Sequence, residues 1–412
     1  MMRSTTETVD SSAGSRTNPA WGSDWAQVAA LWRLDPAMTH LNHGSFGAVP
    51  TPVLEEQHRW RDRMETNPQR FFTRGVTESL VAARGEIAQF FGLGADELAL
   101  VRNATTGVNT VFACAGLQPG DEVLLTEHGY GAVRIAADRA CARAGARVVL
   151  AAVPLAVTDD EIVDRVLAAV TPRTRLAVID QVTSATARAM PLDRLVPALQ
   201  ERGVAVCVDA AHAPGMLDVD LARLAPDYWT GNLHKWAWAP RGTAVLYAAP
   251  TRRTGLRPLV ASWNDDLGFP GAFDRTGTDD LTAWLAAPAA LRLMKELGLD
   301  RVREHNRRLV QQGRATLATA VSEQVPEAAV LPTSDGSTLS MALVALPPGV
   351  AVDLAGAEAW KRRIAEHAGV EVAVTTFRGQ GLLRLSAQVY NCPADYEVLA
   401  RRLPTLLADA AA

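Results

Sequence analysis

Residues 204–215 read VAVCVDAAHAPG. An apolar run ends at Asp209, the pattern of a buried parallel strand at the point where it emerges from the sheet. In open α/β sheets, ligands bind outside the carboxyl ends of such strands. A carboxylate placed there needs a partner. Capping the following segment is one use for it. Pairing with a protonated pyridine nitrogen is another.

Lys235 lies 26 positions further on, in GNLHKWAWAPRG (231–242), and DYWTG (227–231) supplies a strand between the two. Its neighbours Leu233, Trp236, Ala237 and Trp238 are apolar. Such surroundings disfavour the ammonium and free the amine to attack a carbonyl. A lysine beside tryptophans can also be a core-edge residue whose head reaches water. Composition narrows the field, because only Lys235, Lys295 and Lys361 are lysines among 41 basic residues. Lys295 (LMKELG) and Lys361 (AWKRRIAEH) sit among charged neighbours in helical patterns and read as solvated helix faces. A third segment, LVRNATTGVNTVFA (100–113), runs from strand through Asn103, Thr105, Thr106 and Gly107 into a helix. A helix N-terminus with small hydroxyl side chains offers free N–H groups to a phosphate, although plain N-capping uses the same residues. An amine, a carboxylate and a phosphate cradle together match pyridoxal 5'-phosphate (PLP).

Around these segments, the runs LALV, EVLL, RVVLAAV, RLAVID, VAVCVD and TAVLYA alternate with helical patterns at 107–116, 131–144 and 158–170. That alternation predicts an α/β domain with a mostly parallel sheet. A disordered tail (1–23) and an N-terminal arm with helices (24–92, helical near 53–66 and 77–91) come first. The large domain covers 93–287, with a loop-like stretch near 250–280. A smaller α+β domain (288–412) follows: a long helix over 288–323, strands in LSMALVAL, VEVAVTT and LLRLSA, and helices at 353–368 and 394–410. The arm is expected to pack with the small domain and the active site.

Bulk properties exclude several classes. Apolar residues are 48%, charged residues 21% and the net charge is −4, which fits a soluble enzyme and offers nothing to nucleic acid. No apolar run is long enough for a membrane span, and MMRSTTETVDSSAGSRTNPA lacks the apolar core of a secretion signal. Cys114, Cys141, Cys207 and Cys392 are widely spaced, which argues against a metal or disulfide framework and for a cytoplasmic location.

The segments LNHGSFGAVP, RNATTGVN, TEHGYGAV, VDAAHAPG, GNLHKWAWAPRG, RTGTDD and LLRLSA, in this order, resemble the class V aminotransferase family and within it the isopenicillin N epimerase-like branch. The resemblance spans about 24–405 and implies the PLP-dependent transferase (aspartate aminotransferase-like) fold of type I. It implies a cofactor held as a Schiff base on Lys235, which also shuttles a Cα proton. Asp209 would face the ring nitrogen and His212 the phenolic oxygen. Tyr130 would stack on the ring, with His128 as competitor, and Gln181 would approach it. Thr105 and Thr106, helped by Asn232 and His234, would hold the phosphate. Thr278 would reach the phosphate of a second subunit, so a homodimer with shared active sites is implied. Arg384 would grip an amino-acid carboxylate with its guanidinium fork, although an arginine in a strand can also serve a structural salt bridge. Asn42 and His43 would lie on the substrate side, and Arg74 is a candidate for a second anionic group.

Relatives that desulfurate cysteine carry a catalytic cysteine before the carboxylate-binding arginine. EHAGVEVAVTTFRGQG (366–381) has none, which argues against a persulfide mechanism. Where the epimerase pattern has Ser-Gly-His-Lys, this chain has Asn232, Leu233, His234 and Lys235. The expected reaction is amino-acid epimerisation in specialised biosynthesis, with a C–S (β-) lyase or another class V aminotransferase-like tailoring enzyme of secondary metabolism as alternative. A Rossmann nucleotide binder is disfavoured because no G-x-G-x-x-G occurs. A non-catalytic binding protein is disfavoured by the joint presence of Lys235, Asp209 and Arg384.

Overall fold

In a computed structural model, residues 20–323 and 339–411 are described. The strands, in chain order, are β1 (Thr39–His40), β2 (Leu98–Val101), β3 (Glu122–Thr126), β4 (Arg147–Ala151), β5 (Thr174–Asp180), β6 (Ala205–Asp209), β7 (Tyr228–Asn232) and β8 (Ala244–Ala248), then β9 (Met341–Ala345), β10 (Val370–Glu371), β11 (Ala373–Phe377) and β12 (Gln380–Ser386). Seven of them form one sheet in the order β2-β8-β7-β6-β5-β3-β4. Neighbours from β7 to β4 are parallel, and β8 runs antiparallel to both β7 and β2. Each expected run of this region is a strand; the inner ones are buried on both faces between helices, whereas β4 at the sheet edge is partly exposed.

The two faces of the sheet are distinct. Val178, Cys207 and Tyr228 pack with Val108 and Val111 of the helix Ala104–Cys114 and Val133 of the helix Gly131–Ala144. Ile179, Val208 and Trp229 pack instead with Leu195 of Leu192–Gln200, Ile87 of Val76–Phe90 and Leu291 of Thr282–Leu297. Asp180, Asp209 and Thr230 are register partners across β5, β6 and β7. Strand alternation points them to the Ala104–Cys114 side. Gly107 lets that helix sit directly on β7, since a Cβ there would lie 2.1 Å from Thr230 Oγ1. The helix N-terminus is thereby delivered to the strand ends.

The C-terminal part holds an antiparallel sheet, β11-β12-β9, while β1 of the arm pairs in parallel with β10. Leu41 of the arm shares a core with Val310, Ile364, Tyr396 and Leu399. The arm is therefore stitched into this second core.

Three expectations change. The helix over 288–323 is two helices, Thr282–Leu297 and Leu299–Ala320, which meet at Gly298 with φ +84°. VEVAVTT divides into β10 and β11, which join different sheets. Residues 20–23 do not continue the tail, because Trp21 is buried edge-on against His305 beneath the Arg301 guanidinium. Residues 1–19 of the expected tail lie outside the described residues. The segment between β8 and Thr282 holds only short 3-10 turns, as its Pro, Gly and Asp content leads one to expect.

Candidate active site

Lys235 follows β7 in a turn packed under the arm. Gly47 of the arm approaches so closely that a Cβ would sit 2.2 Å from His234 O, and its φ is +65°. His43 fixes the same turn. Its Nε2 is 3.0 Å from Lys235 O and must donate, because a carbonyl only accepts. Its Nδ1 is then the acceptor for Tyr390 OH at 2.9 Å. Burial, more than the neighbouring His40, holds the His43 imidazole neutral with a pKa of about 3.

The Lys235 Nζ points inward, 3.1 Å from His212 Nε2. Burial, then the Arg384 charge, depresses the amine to about 8, against the opposing pull of Asp209 and Asp180. Burial and the charges of Lys235, Arg384 and His234 push His212 well below the usual histidine range.

Asp209 ends β6, buried, and accepts Ala211 N–H at 3.0 Å. Asp180, its partner on β5, is equally buried and was not anticipated from sequence. Burial raises both carboxyls, and the Asp209 charge raises Asp180 further, while the backbone N–H of Tyr130 helps to hold it down. Neither forms an ion pair within 4.0 Å among the described residues. The one signal for Asp180 was its place at the end of its own apolar run, the position that marked Asp209.

At the Ala104–Cys114 N-terminus, Asn103 Oδ1 accepts Thr106 N (2.8 Å) and Thr106 Oγ1 (3.0 Å). Asn232 Oδ1 accepts Ala104 N at 2.8 Å. The amide and hydroxyl of Thr105 and the Nδ2 of Asn232 have no protein partner among the described residues, so donors remain available to a phosphate. His234 differs from expectation. Its Nδ1–H is engaged by Thr243 O at 2.9 Å, and burial lowers it to about 4. Its Nε2 is therefore an acceptor and does not donate to a phosphate in this state.

Arg384 enters from β12, buried. Nη1 donates to Ser184 O (2.7 Å) and Nη2 to Ser45 Oγ (3.0 Å) and Asn42 Oδ1 (3.3 Å), while Nε has no partner. Burial lowers its pKa to about 10. No carboxylate pairs with it among the described residues, so a structural salt bridge is not its role. Ser45 and Ser184 are site residues that sequence reasoning missed.

Several expected residues are placed otherwise. Gln181 Oε1 accepts Trp229 Nε1 at 2.9 Å on the opposite face of the sheet from Asp209, so it does not approach the ring position. His43 is a fully buried clamp rather than a substrate-side group. Arg74 is exposed at the end of the helix Pro68–Arg74, with no bond to the cluster. Thr278 is exposed in its loop. Of the two stacking candidates, His128 is committed: it stacks on Phe377 at 4.4 Å and bonds Thr186 and Val153 O at 2.7 Å each. Tyr130 is half-exposed, and its phenol lies close enough to Arg384 to act on that charge.

The residues present fit PLP. A desolvated amine, a buried carboxylate with no cation bonded to it, and a helix N-terminus with unused donors converge at the strand ends.

Comparison with known proteins agrees with this arrangement. The model for the family described as aminotransferase class V matches residues 47–399. Isopenicillin N epimerase of Streptomyces clavuligerus is 33% identical over 93% of this chain and 98% of its own length, and that of Amycolatopsis lactamdurans is 34% identical with the same coverage. A probable chloroplastic L-cysteine desulfhydrase of Arabidopsis thaliana is 30% identical over 91% of this chain and 84% of its own. Among solved structures, the Escherichia coli cysteine desulfurase CsdA superimposes with a TM-score of 0.73 at 20% identity over 93% of this chain and 98% of its own. The cystine C–S lyase C-DES superimposes with 0.75 at 20% identity over 89% and 97%. With its fold, its family match and its near full-length relatives in accord, this chain belongs to the class V aminotransferase family.

Proposed function

We propose that this protein is an isopenicillin N epimerase-like amino-acid epimerase of specialised biosynthesis, acting at Cα with Lys235 as its proton carrier. The carrying observation is the Arg384 guanidinium, buried without a carboxylate and acting on the Lys235 amine. An α-carboxylate gripped there brings the adjoining Cα toward that amine.

PLP is the cofactor of this enzyme class, and when bound it supplies the electron sink that loosens the bonds at Cα. Lys235 would hold its aldehyde, Asp209 its ring nitrogen, His212 its phenolic oxygen, and Thr105 and Asn232 its phosphate, whereas both Thr106 donors are held by Asn103. Tyr130 would cover the ring. Asn42 and Ser45 orient Arg384. We further place the enzyme in the cytoplasm as a homodimer in which Thr278 serves the neighbouring site.

The desulfhydrase-like relative favours a second reading, a C–S lyase. A persulfide route has no thiol here, because β11 and β12 are joined by a tight hairpin at Arg378 and Gly379. The test is incubation with candidate amino acids in deuterated water. Deuterium at Cα with inversion and no released thiol or pyruvate is expected. Release of either product replaces the epimerase by the lyase. Borohydride reduction and peptide mapping should place the cofactor on Lys235, and a label elsewhere would overturn the assignment.

A further inference from the structure

Trp236 lies next to the candidate amine yet points away from it. It is buried in a small apolar cluster with Val182, Met216 and Met341, between the large sheet and the C-terminal sheet. Its indole stands 5.1 Å from the His43 ring, ring centre to ring centre. In this apolar setting its Nε1 bonds His212 Nδ1 at 3.2 Å. An indole N–H can only donate, so Nδ1 of His212 must offer its lone pair. A neutral imidazole then carries its proton on Nε2, the atom 3.1 Å from Lys235 Nζ. Hydrogen bonding in that gap requires the amine to accept, which only an unprotonated lysine can do.

We propose that Trp236 is a positioning residue that locks His212 in the Nε2–H tautomer, so that His212 donates to Lys235 and disfavours the ammonium. This rests on Lys235 being the reacting amine. The other groups facing that amine divide by sign. Arg384 opposes its protonation, whereas Asp209 and Asp180 favour it. His234 acts on His212 in the same sense as Arg384, and His43 holds the Lys235 carbonyl rather than its amine. Among these, the chain from Trp236 through His212 is the one hydrogen-bonded to Nζ.

Two measurements on the cofactor-free protein test it, both independent of turnover. The first is ¹⁵N NMR of histidine-labelled protein at about pH 9.5, above the amine's pKa of about 8, with the His212 signal identified by its loss in His212→Asn. The expected pattern is a protonated Nε2 and a bare Nδ1. A protonated Nδ1 would overturn the proposal on the unmodified chain. The second is the pH dependence of reductive methylation at Lys235, followed by peptide mapping. In Trp236→Phe, His212 is free to protonate Nδ1 and to accept from the ammonium through Nε2, so the labelling midpoint should rise by about half a unit to one unit. An unchanged midpoint in folded Trp236→Phe rejects the lock. If the lock is present but borohydride fixes PLP on another residue, the functional reading fails and the tautomer assignment stands.

Discussion

Arg384 illustrates how a single side chain acquires its role from its surroundings. In LLRLSA it is an arginine among apolar strand residues. In the fold it is buried, with Ser184, Ser45 and Asn42 orienting its fork and no carboxylate paired to it. A buried guanidinium lacking a counter-ion is stabilised by an anionic ligand. Arg384→Gln should raise KM for the amino acid by about 100-fold, equivalent to ~3 kcal/mol for a lost charged hydrogen-bond pair. The absorption spectrum of the loaded enzyme should not change. Loss of the cofactor signal in this variant would show that Arg384 supports the cofactor pocket rather than the substrate.

At the scale of elements, the contact between the Ala104–Cys114 helix and β7 decides where the phosphate donors lie. Gly107→Ala places a Cβ 2.1 Å from Thr230 Oγ1, so the helix must move outward. The expected result is PLP affinity reduced at least about tenfold, since the Thr105 amide and hydroxyl are displaced together. Fluorescence titration of the cofactor-free variant checks this, and unchanged affinity would show that the helix end is not the cradle.

The opposite rim of the sheet is held by Glu122. Its carboxylate accepts from Thr171 (2.6 Å), Arg147 (2.5 Å) and Arg173 (3.3 Å), gathering β3, β4 and β5. Thr171 first, then Arg147 and Arg173, depress its pKa from 4.5 to about 2, against burial. Because the folded pKa is the lower one, this stabilisation is complete above about pH 4.5 and is lost as pH falls toward about 2. Both arginines are largely exposed and therefore screened. Glu122→Gln should accordingly cost about 1 kcal/mol at pH 7 in urea unfolding. The gap between variant and parent should close in acid, and a gap that persists at pH 2 would refute the assignment.

Across the whole molecule, the loop between β8 and Thr282 carries Leu259, Val260, Trp263 and Leu267 on its surface, with Trp263 96% exposed. Thr278 lies exposed further along the same connection. Apolar groups clustered in one loop mark an association surface, and the proposed dimer would bury it. Trp263→Asp should shift sedimentation from dimer toward monomer and weaken PLP binding with it. A variant that remains fully dimeric would place the subunit contact elsewhere.

Local pattern alone determined a good deal of this protein. Short apolar runs bounded by turn residues and alternating with helical patterns favour strands, so six strands and the strand-end position of Asp209 could be read directly, although the antiparallel direction of β8 and the exposed edge position of β4 could not. The scarcity of lysine singled out Lys235. Other features came only with tertiary structure. Asp180 and Gln181 are adjacent in sequence, yet β5 turns one toward Asp209 and the other toward Trp229 on the far face. His43 and His128 looked available in sequence, but packing engages both ring nitrogens of each. Ser45 and Ser184 meet Arg384 from segments about 340 and 200 positions away. Strand and helix periodicity are written in neighbouring residues, whereas the partner of a buried polar group is set by which distant segments the closed core brings within hydrogen-bonding distance.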